Sequence, residues 1–330
     1  MAQGKRILSS LASRLLDPTI VFSFDRTGFY LHQAGFDEGD LEVDLTGQIC
    51  LVTGANSGIG LATSRELLRR GATVYLLCRN EGRGEAARDQ LHQEGWERAQ
   101  LAIVDMADLG SVRRLAESLK VDRIHILVHN AGVLPDTRQL SPQGLEMTLA
   151  THVAGPHLLT TLLLPRLRHA NGRVIWVASG GMYTQALSLK DIQWEQRPYD
   201  GVVAYAVTKR AQVVLAELWA ECLQGTGVIV HSMHPGWADT PAVQSSIPTF
   251  YRMSRLILRT PEMGADTVVW LAISKAAGEV SGGFWFDRKR RTTHFLPWTR
   301  ESETQRRALW QFAQEICGLS PSSPRNSAPV

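Results

Sequence analysis

An α/β fold with a doubly wound parallel sheet is predicted by three features of this chain. Short apolar, β-rich runs alternate with helix-like stretches between residues 48 and 286. The first run ends in a glycine-rich loop that opens into a helix, and no internal repeat interrupts the series. Alternation makes a sheet parallel, because each helix carries the chain back over one face before the next strand begins. Right-handed crossovers then wind the sheet outward in both directions, the Rossmann-type arrangement, in a single domain.

The elements follow in order. Residues 48–53 (QICLVT) are the first strand, and a helix runs from about 58 to 70, closed by Gly71 where helices commonly stop. Residues 73–78 are a second β-rich run, so this unit has the size of one βαβ crossover. A charged helix at 81–94, a strand at 100–104, a helix at 108–119 and a strand at 124–129 continue the pattern. A long helix is expected from about 142 to 167, then a strand at 173–178, a longer loop at 180–202 and a helix at 204–223. A strand at 228–233, a helix at 261–274 and a last strand at 283–286 complete it. The tail 318–330, rich in Ser and Pro, has the composition of disorder.

With 330 residues, 44% of them hydrophobic, the chain has ample interior for a buried sheet. A net charge of +3 gives no basic stripe, so nucleic acid is not expected as a partner. Cys50, Cys78, Cys222 and Cys317 have neither C-x-x-C nor metal-ligand spacing. They read as buried reduced thiols of an intracellular protein, and no metal site is expected. No run of 18 apolar residues suggests a membrane span, and the N-terminus lacks a signal-peptide core. It does carry Lys5, Arg6 and Arg14 before the first acid, Asp17, with Ile7, Leu8, Leu11 and Leu15 on one helical face. Residues 5–16 therefore suit a mitochondrial presequence, a peripheral membrane contact or a helix packed back on the domain. A cytoplasmic, membrane-peripheral or mitochondrial location stays open.

The loop Gly54-x-x-x-Gly58-x-Gly60, with Asn56, Ser57 and Ile59 between the glycines, sits between the first strand and its helix. Glycine there lets backbone approach a pyrophosphate, and the helix N-terminus offers free N–H groups. NAD sites place an acid at the end of the second strand for the ribose 2′-hydroxyl. Here the chain reads Cys78-Arg79-Asn80. An acid would repel a 2′-phosphate and a guanidinium can grip one, so NADP(H) is the expected cofactor.

Tyr205 and Lys209 lie four apart in a helical stretch and share a face. A free tyrosine has a pKa near ~10, whereas a general acid–base works best nearer neutrality. An ammonium and an oxidised nicotinamide nearby favour the phenolate. A shift of roughly 3 units is about 4 kcal/mol. Ser179 follows an apolar strand at the carboxyl edge, where such sheets bind ligands, and its hydroxyl can hold a substrate carbonyl beside Tyr205.

These segments, together with Asn130-Ala131-Gly132, resemble the short-chain dehydrogenase/reductase family over roughly residues 45–288. The long loop between Ser179 and Tyr205 looks like its retinol-dehydrogenase-like part. Residues 177–182 (VASGGM), 233–241 (MHPGWADTP), 264–267 (GADT) and 286–289 (FDRK) narrow the resemblance further. The resemblance implies that Ser179 orients substrate, Tyr205 transfers the proton, and Lys209 binds the nicotinamide ribose and tunes Tyr205. It implies that Asp105 contacts the adenine, that Asn130, Ala131 and Gly132 steady the central strand and line the cofactor site, and that Pro235, Gly236 and Thr240 meet the nicotinamide amide. Residues 1–46 are then an extension, 47–300 the NADP-binding catalytic domain with a substrate lid near 240–260, and 301–330 a C-terminal helix and tail.

One position departs from the family pattern. His152, in Thr151-His152-Val153-Ala154-Gly155, stands where the family has an asparagine that supports a proton-relaying water. Histidine titrates near neutral pH, so slow turnover and an added pH dependence between about pH 6 and 7 are expected; a helix histidine satisfied by a backbone carbonyl is the plainer alternative. The lid offers Pro241, Val243, Ile247, Pro248, Phe250, Tyr251 and Met253, which suit an apolar lipid aldehyde, retinoid or steroid but would also pack a short helix. The expected activity is NADP(H)-dependent carbonyl reduction or the reverse, in a chain that can form homo-oligomers. The rivals are a cofactor-binding scaffold with little turnover and, more weakly, an epimerase or dehydratase.

Overall fold

The computed structural model describes residues 23–239, 251–252 and 254–320. The segment 5–16, Thr240, most of the expected lid and the tail from 321 onward lie outside the described residues.

The strands are β1 (Ile49–Thr53), β2 (Thr73–Cys78), β3 (Ala99–Ile103), β4 (Ile126–His129), β5 (Arg173–Val177), β6 (Ile229–Met233), β7 (Phe284–Phe286) and β8 (Lys289–Arg290). They form one sheet in the order β3-β2-β1-β4-β5-β6-β7-β8, parallel except for the β7–β8 pair. The chain winds outward from β1 in one direction and from β4 in the other. The crevice beyond the carboxyl ends of β1 and β4 is therefore the switch point where such sheets bind ligands. The doubly wound fold is as the alternation predicts.

The helices are α1 (Arg26–Gln33), α2 (Gly58–Arg69), α3 (Glu81–Gln93), α4 (Leu109–Ser118), α5 (Gly155–Ala170), α6 (Gly201–Cys222), α7 (Pro261–Ile273) and α8 (Glu303–Ile316). Successive strand residues point to opposite faces, so Leu51 joins the core under α4, α5, α6 and α8 while Cys50 and Val52 join that under α2, α3 and α7. Burial on both faces explains why β4 (ILVH) shows no polar alternation. Each fully buried leucine, such as Leu67 or Leu163, contributes about 1.5–3 kcal/mol.

Two elements differ from expectation. The long helix does not begin near residue 142. Gly144 takes φ 76°, Ser141 N–H bonds to Leu145 O, and the Glu146 carboxylate caps a helical turn at Met147–Leu149. A π-helical segment, Ala150–Ala154, then leads into α5. A Cβ at Gly155 would lie 2.0 Å from Met106 O, so glycine alone permits this close passage. The other difference is β8, too short and too charged to read as a strand, which folds back on β7 through Asp287 and Arg288.

Both ends of the described chain pack on this body. Asp25 caps α1 by accepting from Gly28 N–H at 2.9 Å, and Phe24 and Phe29 are buried. Helix α8 starts with a Ser302/Gln305 capping box and buries Leu309, Trp310 and Ala313. Trp310 packs against Trp219 and His157 at ring distances of 5.1 Å.

Candidate active site

The glycines of the first loop have separate physical reasons. Gly54 and Gly58 take φ 66° and 54°, where a side chain is strained. Gly60 is a matter of space: a Cβ there would sit 2.4 Å from Gly54 O and 2.5 Å from Asn130 Nδ2. The loop thus stays flat against the carboxyl ends of β1 and β4. Ser57 precedes α2 without capping it through its side chain, and no acid stands in the first turn. The N–H groups of that turn face the cleft with the positive end of the helix dipole.

Asn130 and Thr53 lock this edge together. The Asn130 amide donates to Thr53 O at 2.9 Å and Gly54 O at 3.2 Å. The Thr53 hydroxyl accepts the backbone N–H groups of Asn130 and Ala131 at 2.9 and 3.0 Å. These bonds tie the Asn-Ala-Gly segment to the end of β1. Thr53 is a participant that the sequence reading passed over, since a threonine ending a strand carries no distinctive pattern.

Ser179 follows β5 and begins a 3-10 turn, Gly180–Thr184, with its hydroxyl accepting from Gly181 N–H at 3.2 Å. Helix α6, capped by Asp200, presents Tyr205 and Lys209 on the same side. The Ser179 hydroxyl faces Tyr205 and favours its ionised form. The Lys209 ammonium donates to Val177 O at 2.9 Å and lies 5.4 Å from the centre of the Tyr205 ring.

The expected lowering of Tyr205 is not a property of the polypeptide by itself. Burial pushes its phenol up, with the Ser179 hydroxyl acting in the opposite direction. Burial also pushes Lys209 down to about 7, so it offers the phenolate less charge than a solvated ammonium would.

His152 is placed behind Tyr205, its ring edge-on at 5.3 Å, and does not line the cleft. Its Nε2 accepts the backbone N–H of Val133 at 3.0 Å, which fixes the proton on Nδ1, and Nδ1 donates to the Thr208 hydroxyl at 2.9 Å. Burial and the Lys209 charge hold it far below its ordinary pKa. These bonds and the lowered pKa speak against the expected titration of His152 between pH 6 and 7. The ring is a neutral strut, satisfied by Val133 and Thr208 where the plainer alternative expected a helix carbonyl.

The predicted residues converge on one cleft of about 570 Å³. Gly54, Asn56, Ser57, Gly58, Ile59, Arg79, Asp105, Asn130, Ala131, Gly132, Ser179, Tyr205, Lys209, Pro235 and Gly236 line it; Gly60 supports it from behind, and Thr240 is outside the described residues. Arg79 is exposed at one end, without an ion pair among the described residues. Asp105 is held by accepting Ala107 N–H at 2.9 Å. Thr151, not singled out by sequence, lines the cleft with a buried hydroxyl that has no partner among the described residues. Val133, Leu134, Val202, Trp237 and Leu258 make the other end apolar.

A glycine cradle, uncapped helix N–H groups, a free cation and an orphaned hydroxyl in one crevice fit a dinucleotide. A Ser-Tyr-Lys group at its carboxyl edge fits hydride chemistry at a carbonyl. The family model for short chain dehydrogenases matches residues 48–249. The chain belongs to the short-chain dehydrogenase/reductase family, an oxidoreductase family that uses nicotinamide cofactors.

Within that family it stands close to dehydrogenase/reductase SDR family member 12 of Homo sapiens, with 43% identity over 89% of this chain and 93% of that protein. Retinol dehydrogenase 12 of Homo sapiens is 34% identical over 84% of this chain and 88% of that one. Among solved structures, an uncharacterized protein from Mycobacterium paratuberculosis superimposes with a TM-score of 0.69 at 25% identity, covering 85% of this chain and 97% of that one. No helix among the described residues is long and apolar enough to cross a membrane.

Proposed function

We propose that this protein uses NADP(H) to interconvert a carbonyl and a hydroxyl group on an apolar small molecule of the lipid aldehyde, retinoid or steroid class. The observation that carries this reading is the meeting of Ser179, Tyr205 and Lys209 in the same cleft as the glycine loop. When bound, the nicotinamide supplies or accepts the hydride. The protein's own groups do the rest. Gly54, Asn56, Ser57, Gly58 and Ile59 would hold the pyrophosphate, Asp105 the adenine, Arg79 the 2′-phosphate, and Pro235 and Gly236 the nicotinamide amide. Ser179 holds the carbonyl oxygen by a hydrogen bond, and Tyr205 Oη gives it the proton. Lys209 binds the nicotinamide ribose and stands ready to restore the proton to Tyr205, a task suited to an amine held near 7.

Arg79 supports NADP(H) over NAD(H), because an unpaired guanidinium at the end of β2 has charge to offer a 2′-phosphate. The apolar end of the cleft, with Leu134, Val202, Trp237 and Leu258 and no charged side chain among the described residues, supports a neutral, greasy substrate. The name of the retinol dehydrogenase relative is in keeping with that class.

The test is NADPH oxidation by the purified protein over a panel of apolar aldehydes and ketones, with Tyr205→Phe alongside. Turnover that vanishes in the variant supports the reading. Tight NADPH binding with no turnover on any substrate would favour a second reading, a cofactor-binding scaffold, for which the one specific observation is the fully bonded His152 in place of the family's asparagine.

A further inference from the structure

Two of the sequence segments that narrow the family resemblance, residues 233–241 and 286–289, meet at one buried side chain, Arg259, which is 0% exposed. Its guanidinium bonds three separate stretches of chain. Nη1 and Nη2 donate to the Asp287 carboxylate at 2.6 and 2.8 Å. Nη2 also donates to Ser23 O at 2.9 Å and Nε to Asp25 O at 3.0 Å, both on the N-terminal strip that enters α1. Nη1 reaches Pro235 O at 3.5 Å. A Cβ on Gly236 would lie 2.4 Å from Nε, so the loop has a glycine at φ 76° because the guanidinium fills the space beside it.

The backbone repeats the same links. Trp237 N–H donates to Phe24 O and Arg259 N–H to Trp237 O, each at 2.8 Å, and Asp239 N–H donates back to Arg259 O at 2.8 Å. The N-terminal strip, the cleft loop and the segment ending at Arg259 thus form one short ribbon. Phe24 packs edge-on against His234 at 4.4 Å, and a Cβ on Gly180, next to Ser179, would lie 2.8 Å from its ring. At the far end, Asp287 and Arg288 both take positive φ (49° and 55°), a strained two-residue turn without glycine. Ion pairs hold both turn residues: Asp287 to Arg259 and Arg288 to Asp266, each at 2.6 Å. The charge of Arg259 and the bonds from His32 and Arg259 outweigh burial and keep the Asp287 carboxyl below its usual range.

A buried ion pair is weak evidence for stability, because an apolar pair of the same volume often serves as well. An apolar residue could not gather carbonyls from two segments and a carboxylate from a third. We propose that Arg259 is a positioning residue for the reaction. Through it the strip 23–26 backs the loop 235–239, whose residues 235–238 line the cleft, and sets that loop against the nicotinamide end. The proposal rests on the reading of the cleft as a nicotinamide-cofactor site.

The experiment compares the full-length wild type with Arg259→Lys and Phe24→Ala by two readouts. Hydrogen exchange follows peptides covering 24–33, 235–239 and, as reference, 49–53. Calorimetry measures binding of NADPH and of 2′,5′-ADP, which has the 2′-phosphate but no nicotinamide. The expected result for Arg259→Lys is joint loss of protection in 24–33 and 235–239 with 49–53 unchanged. NADPH binding should weaken by roughly tenfold, the scale of one lost hydrogen bond, and 2′,5′-ADP binding should stay as in wild type. Phe24→Ala should move both readouts in the same direction while leaving the guanidinium bonds in place, and it decides the matter if Arg259→Lys does not fold. Loosening of only one segment, or of neither, overturns the proposal. So does equal weakening of both nucleotides, which marks a general loss of structure. If the wild type takes neither nucleotide, the cofactor reading falls and the assignment of Arg259 to the reaction falls with it, whereas joint or separate loosening in the exchange data still reports on the ribbon itself.

Discussion

The ring of His152 stands between the backbone of Val133 and the hydroxyl of Thr208, accepting from the first at Nε2 and donating to the second at Nδ1. Val133 follows the Asn-Ala-Gly segment, and Thr208 lies between Tyr205 and Lys209 on α6. The histidine therefore ties the cofactor edge of the sheet to the helix that carries the proton-transfer group. A protonated ring would have to give up the Val133 bond, because Nε2 would then carry a hydrogen facing another donor.

Replacing His152 by Asn should leave the shape of the pH–rate profile unchanged between pH 6 and 7. A wild-type inflection in that interval that the variant lacks would overturn the strut assignment. His152→Ala should instead destabilise the fold by about 1 kcal/mol by removing the bonds to the half-buried Val133 N–H and to Thr208, measurable by urea unfolding.

Tyr205→Phe should lower kcat by roughly 10²–10⁴-fold, the usual contribution of a general acid. Cofactor affinity should stay near wild type, since the glycine loop and Arg79 are untouched. Steady-state rates and NADPH titration on the same preparation separate the two.

Arg79→Ala should weaken NADPH binding by about tenfold, the lower end of what a charge-assisted hydrogen bond contributes, and leave NADH binding unchanged. Equal loss for both cofactors would remove Arg79 from the 2′-phosphate site.

Gly60→Ala should cost about 1–3 kcal/mol, as overpacking does, because its Cβ would fall 2.4 Å from Gly54 O and 2.5 Å from Asn130 Nδ2. Thermal unfolding should show the loss, and cofactor binding should fall with it as the loop lifts from β4.

Stability should drop in mild acid. Burial holds His129 and His234 at about 3 and His157 and His231 at about 4, against 6.5 for the free side chain. The unfolded chain then takes up protons that the folded chain refuses, so stability falls as the pH drops from about 6.5 toward 4, by up to ~1.4 kcal/mol per pH unit for each group. Lys209 acts in a different window: with a folded value of about 7 against 10.5, it makes stability rise between those two pH values. Urea midpoints measured from pH 4 to 8 should climb, and a flat profile below pH 6 would contradict the burial of these rings.

The sequence by itself determined the strand–helix alternation, the glycine loop, the Asn-Ala-Gly segment and the Ser179, Tyr205 and Lys209 set. Each of these is a local pattern: a periodicity, a turn that needs glycine, or residues one helical turn apart. What only the tertiary structure decided depends on chain far away in sequence. His152 reads as a titrating relay until Val133 and Thr208 close on both ring nitrogens. Tyr205 reads as an activated phenol until burial is counted. Thr53 and Thr151 have no pattern of their own, and Arg259 is one arginine among several near it until Ser23, Asp25 and Asp287, up to 236 residues away, are seen to end on its guanidinium. Desolvation and long-range hydrogen bonds set these roles, and neither is written in the spacing of neighbouring residues.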